Sequence, residues 1–553
     1  GKREENSMQG LMQNRPLLIS SLLEYAASWH GTREIVSRDP EGAIHRTSYA
    51  AVEPRAKRLA NALHNLGVSF GQPIATLAWN SFRHLELHYG VTGSGRVLHT
   101  VNPRLFPEQI QYIINHAEDH YVFFDPVLAP LAEQLAPHLP LVRGWIALCG
   151  AGDMPDVKLK NLLCYEDILG RAKEILEWPT FDENIAATLC YTSGTTGNPK
   201  GVLYSHRSTL LHAFAACAAD SFAFSARDSI LVIAPLFHAN AWAVPFAAAM
   251  CGAKLVLPGP KLDPESIYTL LDQEGCTTAG GVPTIWLNFL AWLEPRRQQL
   301  DLSRLKLKRV FAGGTAPPRT TIEKLRDLLG VYLVHAWGMT ETSPLVTIGT
   351  PLAKHDTAVP DEIVDMQVRQ GRQVYGIELK LVGPEGQTLP HDGQSVGELK
   401  VRGNWVLSGY FKGEGGKVVD NDGWFGTGDV ATIDPDGYVQ LTDRLKDVIK
   451  SGGEWISSIE IENLAVSHPD VHEAAVIAVH HPVWQERPLL LIQPKSGREP
   501  TKQSILEFLS SRIVKWWMPD DVIFVDSLPH TATGKLLKTQ LREQYHGHLA
   551  LEG

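Results

Sequence analysis

Cysteine is scarce in this sequence. Six residues in 553 (Cys149, Cys164, Cys190, Cys217, Cys251 and Cys276) show no CxxC spacing. That excludes a disulfide scaffold and a thiolate zinc site, and it fits a reducing compartment. No long apolar run is present either. The longest, 241–253, is broken by Pro245 and falls short of the roughly 18 residues a membrane-spanning helix needs. A basic excess is missing: 51 Lys and Arg stand against 61 Asp and Glu, a formal charge of −10. Sequence-independent nucleic-acid binding rests on a basic footprint, so it is not expected as the main task. An anionic substrate stays open, because the field inside a cleft can oppose the net charge. No basic-then-apolar leader opens the chain, so a secretory signal is not expected and a soluble cytoplasmic enzyme is. Residues 1–7 (GKREENS) read as a vector remnant ahead of Met8. There are no internal repeats, no low-complexity tracts and no Walker A string GxxxxGK[ST].

What is present is globular in composition. With 44% hydrophobic and 20% charged residues, the chain can bury large cores, and at about 150 residues each it holds three or four domain-sized units. Residues 17–29 and 52–66 carry apolar residues at helical spacing, the second stretch ending at Gly67 as a C-cap glycine does. Short apolar runs at 73–77, 121–124, 185–190, 229–233, 254–257 and 309–312 alternate with helical stretches. That alternation predicts α/β sheets with helices on both faces. From about residue 378 turn signals separate short alternating segments such as 398–402 and 438–441, which predicts an antiparallel β module. Beyond residue 444 the pattern mixes again: helix at 458–467, strand at 474–479, helix at 502–513. The main boundary is expected at 443–447.

The sharpest string is YTSGTTGNPKG, residues 191–201. Thr192, Ser193, Thr195 and Thr196 are interleaved with Gly194 and Gly197, directly after an apolar run. Glycines let backbone approach an anion closely, and successive N–H groups form an anion-binding nest. The hydroxyls add donors and Lys200 adds charge. Further strings follow in order: PLFHANAW from Pro235, AGGTAP from Ala312, WGMTE from Trp337, GTGD from Gly426, DRLKDVIKSGGEW from Asp443 and TGK from Thr533.

On these motifs the chain resembles the adenylate-forming superfamily of acyl-CoA synthetases, firefly luciferase and peptide-synthetase adenylation domains. The resemblance spans nearly the whole chain. FHANAW and IKSGGEWIS are similar to strings of bacterial medium- and long-chain fatty acyl-CoA synthetases. It implies a large N-terminal domain (8–442) of two α/β subdomains plus a β module, a hinge (443–447) and a small mobile α+β C-terminal domain (448–553). It also implies a reaction: a carboxylate attacks the α-phosphorus of ATP to give acyl-adenylate and pyrophosphate, then the thiol of coenzyme A displaces AMP. An anion attacks a polyanion here, so charge must be neutralised and the nucleophile held in line.

The roles that follow are those the resemblance implies. Thr192, Ser193, Gly194, Thr195, Thr196, Gly197 and Lys200 would cradle the pyrophosphate end of ATP. Glu341, with Thr196, would bind Mg²⁺, a hard cation that takes carboxylate and phosphate oxygens. Trp337 would stack on adenine, where many relatives have Tyr, and Gly338, Met339 and Thr340 would follow it along the nucleotide. Gly313, Gly314 and Thr315 would lie against the adenylate. Asp429 would accept hydrogen bonds from the ribose hydroxyls, with Arg444 on the ribose or phosphate. Lys535 would reach the carboxylate and α-phosphate, a fixed cation where two anions meet. His530 stands where many relatives have Arg or Lys.

His238 would lie by the substrate carboxylate and Trp242 would gate an acyl tunnel, with Gly280, Gly281 and Val282 in the same pocket. A helical turn and a loop both suit His238 to Trp242: four residues apart they would share a helical face, while Asn240 and Pro245 suit a loop. Lys446 matches a hinge about which the C-terminal domain rotates. After rotation Gly452 and Gly453 would flank a pantetheine tunnel, with Lys450 and Trp455 nearby. A homodimer is implied by the resemblance alone. Two alternatives share the chemistry: a short acid such as 3-methylmercaptopropionate, or transfer to a carrier protein. The intact IKSGGEW string favours free coenzyme A.

Overall fold

The computed structural model describes residues 7–173, 177–192, 197–531 and 534–549. Two mostly parallel sheets carry the N-terminal part. The first has seven strands in the order Leu162–Cys164, Gly144–Ala147, Tyr121–Phe124, Pro73–Leu77, Val97–Thr100, Ala186–Tyr191 and Gly201–Ser205. All pair in parallel except the last, which returns antiparallel along Ala186–Tyr191. The inner strands are short apolar runs buried along most of their length on both faces, as parallel strands covered by helices must be, while the edge strand Gly201–Ser205 leaves Leu203 exposed. Pro73 fits because it stands first in its strand.

The second sheet has nine strands. Six pair in parallel, in the order Tyr332–Gly338, Arg309–Ala312, Thr278–Gly281, Ser229–Val232, Lys254–Leu257 and Glu34–Arg38. Antiparallel strands close both edges. Helices Phe82–Gly93, His206–Cys217 and Val244–Cys251 supply Leu85, Tyr89, Leu210, Ala213, Phe246 and Ala247 to one apolar cluster. That cluster also takes Ile35, Ile230 and Leu255 from the second sheet and Ala187 from the first, so the two sheets share one core.

A five-stranded antiparallel sheet follows, with Ile377–Val382, Gly397–Gly403, Phe425–Ile433 and Val439–Arg444 as its main strands. Beyond a turn at 445–448, the hairpin Ile449–Ser451/Glu454–Ile456 leads into helix Ser458–Val466. A long pair, Val471–His481 with Gln485–Pro494, forms the centre of the last sheet. The α/β class, the β module and the smaller C-terminal domain stand as the sequence implies.

Several boundaries differ, three of them for a clear local reason. The second helix begins at Tyr49, because Ser48 caps it by accepting from Ala51 N at 3.3 Å. The strand expected at 474–479 runs Val471–His481, since pairing with Gln485–Pro494 extends it beyond its apolar centre. The helix expected to reach 513 stops at Ser510, where Arg512 and Ile513 both donate to Leu509 O.

Candidate active site

The motif residues gather where the parallel strands end. Ala186–Tyr191, Ser229–Val232, Thr278–Gly281, Arg309–Ala312 and Tyr332–Gly338 each run into one of the motif segments at their carboxyl ends. Open α/β sheets bind ligands at that edge. The phosphate segment is a hairpin connection with Tyr191 opposite Gly201. Thr192 N donates to Lys200 O at 2.8 Å, and Lys200 N donates to Thr192 Oγ1 at 3.1 Å. Gly197 has a φ of 78°. Ser193, Gly194, Thr195 and Thr196 lie outside the described residues.

After Arg309–Ala312, Gly313 is buried and Gly314 and Thr315 are exposed. A Cβ at Gly313 would come 3.2 Å from Ala336 O. Trp337 joins the main core cluster and is 8% exposed, so only a small part of its ring is open. At Gly338 a Cβ would stand 1.7 Å from Pro344 O. Only glycine fits, and the chain folds back there: Met339 N and Thr342 Oγ1 both donate to Pro344 O. This turn carries Thr340 and Glu341. Tyr204 OH donates to Thr340 O at 2.5 Å, and Tyr410 OH donates to Glu341 Oε2 at 2.8 Å. Sequence reasoning did not single out Tyr204 or Tyr410. The one signal was an aromatic beside Gly409 in a polar stretch, which by itself says nothing of a partner.

Asp429 sits opposite Arg444 on antiparallel strands, and the two form an ion pair. Gly428, with a φ of 73°, leaves the guanidinium room. Burial raises the Asp429 carboxyl above its ordinary pKa, while Arg444 and Lys535 act against that rise. Lys535 arrives from the C-terminal domain on a tight turn: Thr531 N donates to Lys535 O at 2.7 Å, and Gly534 has a φ of 83°. His530 Nε2 lies 2.6 Å from Glu473 Oε1, so the residue that departs from the family pattern pins the base of this turn. The charge of Lys535 is felt at His238 as well as at Asp429.

His238 opens into the cleft, yet protein surrounds it closely enough that desolvation, and then Lys535, hold its pKa below the usual imidazole value. The segment after it is neither a right-handed helical face nor a plain loop. Ala239, Asn240, Ala241, Trp242 and Ala243 have φ values from 45° to 59°, a left-handed turn. L-residues avoid that conformation, so neighbours must hold it. Asn240 Nδ2 donates to Thr188 Oγ1 at 3.0 Å, tying the turn to the strand below the phosphate segment. The Trp242 ring fills the space over two glycines: a Cβ at Gly280 would meet it at 3.2 Å and one at Gly313 at 3.5 Å.

Behind the ring is an apolar cavity of about 10 Å³, lined by Trp242 and Gly280 with Phe222, Phe224, Val244 and Phe311 among others. His238, Gly281 and Val282 do not line this cavity. Gly281 faces Ile233 and Ile285. Val282 is 46% exposed and faces Gly314 across the cleft side.

The other C-terminal residues are not gathered at this site. Lys450 pairs with Trp455 in the Ile449–Ser451/Glu454–Ile456 hairpin, turned by Gly452 and Gly453 with φ values of 58° and 83°. Two successive positive values are what the tight primed hairpin turn demands. The hydrogen bonds of this hairpin go to its own domain: Lys450 N to Glu486 Oε1, Gly452 N to Trp484 O and Arg487 Nη1 to Ser451 Oγ. Lys446 lies in the turn at 445–448, where burial and the nearby Arg444, Arg542 and Lys535 lower its pKa. Beside it Asp443 Oδ2 accepts from Ser458 N at 2.7 Å, a carboxylate at a helix N-terminus.

The AMP-binding enzyme family model matches residues 23–411, and the AMP-binding enzyme C-terminal domain matches residues 460–535. The chain is 49% identical over 538 residues to 3-methylmercaptopropionyl-CoA ligase of Ruegeria pomeroyi, covering 97% of this chain and 99% of that one. It is 47% identical to the medium-chain-fatty-acid–CoA ligase of Ectopseudomonas oleovorans, covering 97% and 98%. The crystal structure of ATP-bound MatB from Rhodopseudomonas palustris is 25% identical and covers 96% of this chain and 99% of that one, with a TM-score of 0.78.

Proposed function

The chain belongs to the AMP-binding enzyme family, and from that premise we propose that the acid it activates is a medium- or long-chain fatty acid. The chemistry is that of an AMP-forming acyl-CoA ligase. A carboxylate oxygen bonds to the α-phosphorus of ATP and pyrophosphate leaves. The thiol sulfur of coenzyme A then bonds to the acyl carbon and AMP leaves with the acyl–oxygen electron pair.

One arrangement supports the assignment of roles: Asp429 and Arg444 pair in register beside the cleft, and the charge of Lys535 opposes protonation of both Asp429 and His238. A cation whose field acts on both groups offsets the charge that builds where two anions must approach. His238, held neutral, orients the carboxylate without adding charge. Thr192 and Lys200 take the phosphates, together with Ser193, Gly194, Thr195, Thr196 and Gly197. Asp429 and Arg444 take the ribose, and Trp337 with Gly313, Gly314 and Thr315 borders the base. No protein nucleophile is required.

Magnesium fits the donor set. The described residues hold no group of three or more His, Cys, Asp or Glu placed for a metal, and a lone carboxylate, Glu341, faces the phosphate side. Mg²⁺ keeps several waters and binds through one or two carboxylates plus substrate phosphates. Bound there, it would supply positive charge beside the phosphates.

For coenzyme A we propose that the C-terminal domain turns about Lys446 and brings the Gly452–Gly453 hairpin, with Lys450 and Trp455, to the cleft. The single-sided contacts of that hairpin support this reading. The proposed domain limits are 8–442, 443–447 and 448–553. The reading includes a cytoplasmic homodimer, supported by cysteine usage and by resemblance. No helix among the described residues is long and apolar enough to cross a membrane.

The apolar lining behind Trp242 supports an aliphatic acid, and a longer tail enters once the ring swings aside. A second reading, a short acid like that named for the Ruegeria relative, is favoured by the 49% identity to that relative over 97% of this chain. Pyrophosphate release measured across straight-chain acids, with and without coenzyme A, separates the two. Each buried methylene should add roughly 0.8 kcal/mol to kcat/KM until the pocket ends. A series that is flat or falling beyond four carbons replaces the fatty-acid reading with the short-acid one.

A further inference from the structure

The segment 407–416 leaves the antiparallel β module and straps across the phosphate side of the cleft. Leu407 N donates to Glu341 O at 3.0 Å, and Tyr410 OH donates to Glu341 Oε2 at 2.8 Å. One strap thus holds both the backbone and the side chain of the same residue, which is itself only 9% exposed. The Tyr410 ring lies 5.4 Å from Lys200 Nζ, within range of a cation–π contact. Farther along, Glu414 accepts from Tyr112 OH at 3.1 Å and lies 2.5 Å from His116 Nε2. His116 Nδ1 meets the hydroxyl of Tyr191 at 2.6 Å, and Tyr191 ends the strand that feeds the phosphate segment.

We propose that Tyr410 is a positioning residue: its hydroxyl fixes the Glu341 carboxylate so that Oε1 faces the magnesium of MgATP, while its ring holds the Lys200 ammonium beside the phosphates. The proposal rests on the reading of Glu341 as the magnesium-side carboxylate. A free carboxylate rotates about its last bond and offers either oxygen. A hydrogen bond at Oε2 removes that freedom, and a neutral donor does so without competing with a cation, as a lysine would. Partners that orient a metal ligand in this way set both geometry and affinity.

The test is Mn²⁺ binding to the full-length chain in the presence of α,β-methylene ATP, followed by electron paramagnetic resonance. ATP affinity in EDTA is measured alongside. Tyr410→Phe keeps the ring and removes the hydroxyl. It should weaken Mn²⁺ binding about ten- to a hundredfold, while metal-free ATP affinity stays at the wild-type value. Tyr410→Leu should lose metal-free ATP affinity as well, because the ring under Lys200 is gone. Equal losses of Mn²⁺ and metal-free ATP binding in Tyr410→Phe would mean general disruption and would overturn the proposal. So would Mn²⁺ affinity left unchanged in Tyr410→Phe but lowered in Glu341→Gln, although Glu341 would keep its assigned role. Mn²⁺ affinity unchanged in Glu341→Gln removes the reading of Glu341 itself, and the proposal with it.

Discussion

Asp429 and Arg444 face each other in register across the strands Phe425–Ile433 and Val439–Arg444 and form an ion pair. The carboxylate is nearly buried, while the guanidinium keeps one side open to the cleft. The pair therefore presents a fixed acceptor with a partner free to reach a ligand, at the last residue before the turn that joins the two domains.

The protonation of Asp429 sets the first prediction. Burial holds its carboxyl above the ordinary value of about 3.9, with Arg444 and Lys535 opposing. As pH falls, Asp429 takes up its proton earlier than a free carboxylate and stops accepting from the ribose. Metal-free ATP affinity should therefore drop on the acid side at a pH above the usual carboxylate range. Asp429→Asn should bind ATP about tenfold more weakly at pH 7, in line with losing one charged hydrogen bond, and should lack that acid limb. Calorimetric titration over a pH series checks this. An unchanged limb in the variant would assign the titration to another group.

Lys535→Ala should separate the half-reactions. Removing a cation aimed at developing charge costs about 10²–10³ in rate. That loss should appear in acid-dependent pyrophosphate release and not in thioester formation from supplied acyl-adenylate. Equal losses in both would contradict the proposed domain rotation.

Trp242→Ala should change the preferred acid. The ring stands between Gly280 and Gly313 in front of the apolar cavity. Its loss should raise kcat/KM for eight-carbon relative to four-carbon acids and cost about 3–5 kcal/mol of stability. Identical chain-length profiles in variant and wild type would show that the ring does not limit the pocket.

Asp125 predicts a pH dependence of stability. Its Oδ2 accepts from Trp79 N at 2.7 Å, and burial pushes its carboxyl up to about 7. The unfolded chain has an ordinary carboxyl, near 3.9. Between about 4 and 7 the folded state holds more protons, so rising pH lowers stability across that window. Asp125→Asn mimics the protonated acid and removes the slope. Thermal midpoints from pH 5 to pH 8 should show the wild type falling relative to the variant. A constant gap would mean that the carboxyl ionises in the usual range.

Much of the fold was legible because it is written in neighbouring residues. The runs at 73–77, 121–124, 254–257 and 309–312 became strands with the same limits, since an apolar run that short satisfies its backbone only in a sheet buried on both faces. The α/β class followed from the same alternation, while the gathering of strand ends around the phosphate segment emerged only in the fold. The turn after His238 was not legible. Five non-glycine residues in left-handed conformation contradict local preference, and only contacts such as Asn240 to Thr188 hold them. Which of two neighbouring glycines borders the Trp242 ring was not legible either: successive residues on a strand point to opposite sides, and Gly280 meets the ring while Gly281 faces Ile233.

The sequence by itself determined what each segment can do to an anion, because glycine, hydroxyl and lysine chemistry depends on residues within one turn of one another. Only the tertiary structure decided which side chains meet across the cleft. Tyr410 holds Glu341 from 69 residues away, and Trp242 closes over Gly280. A hydrogen bond or an electrostatic contact falls off within a few ångströms, and separation along the chain carries no information about that distance until the core has packed.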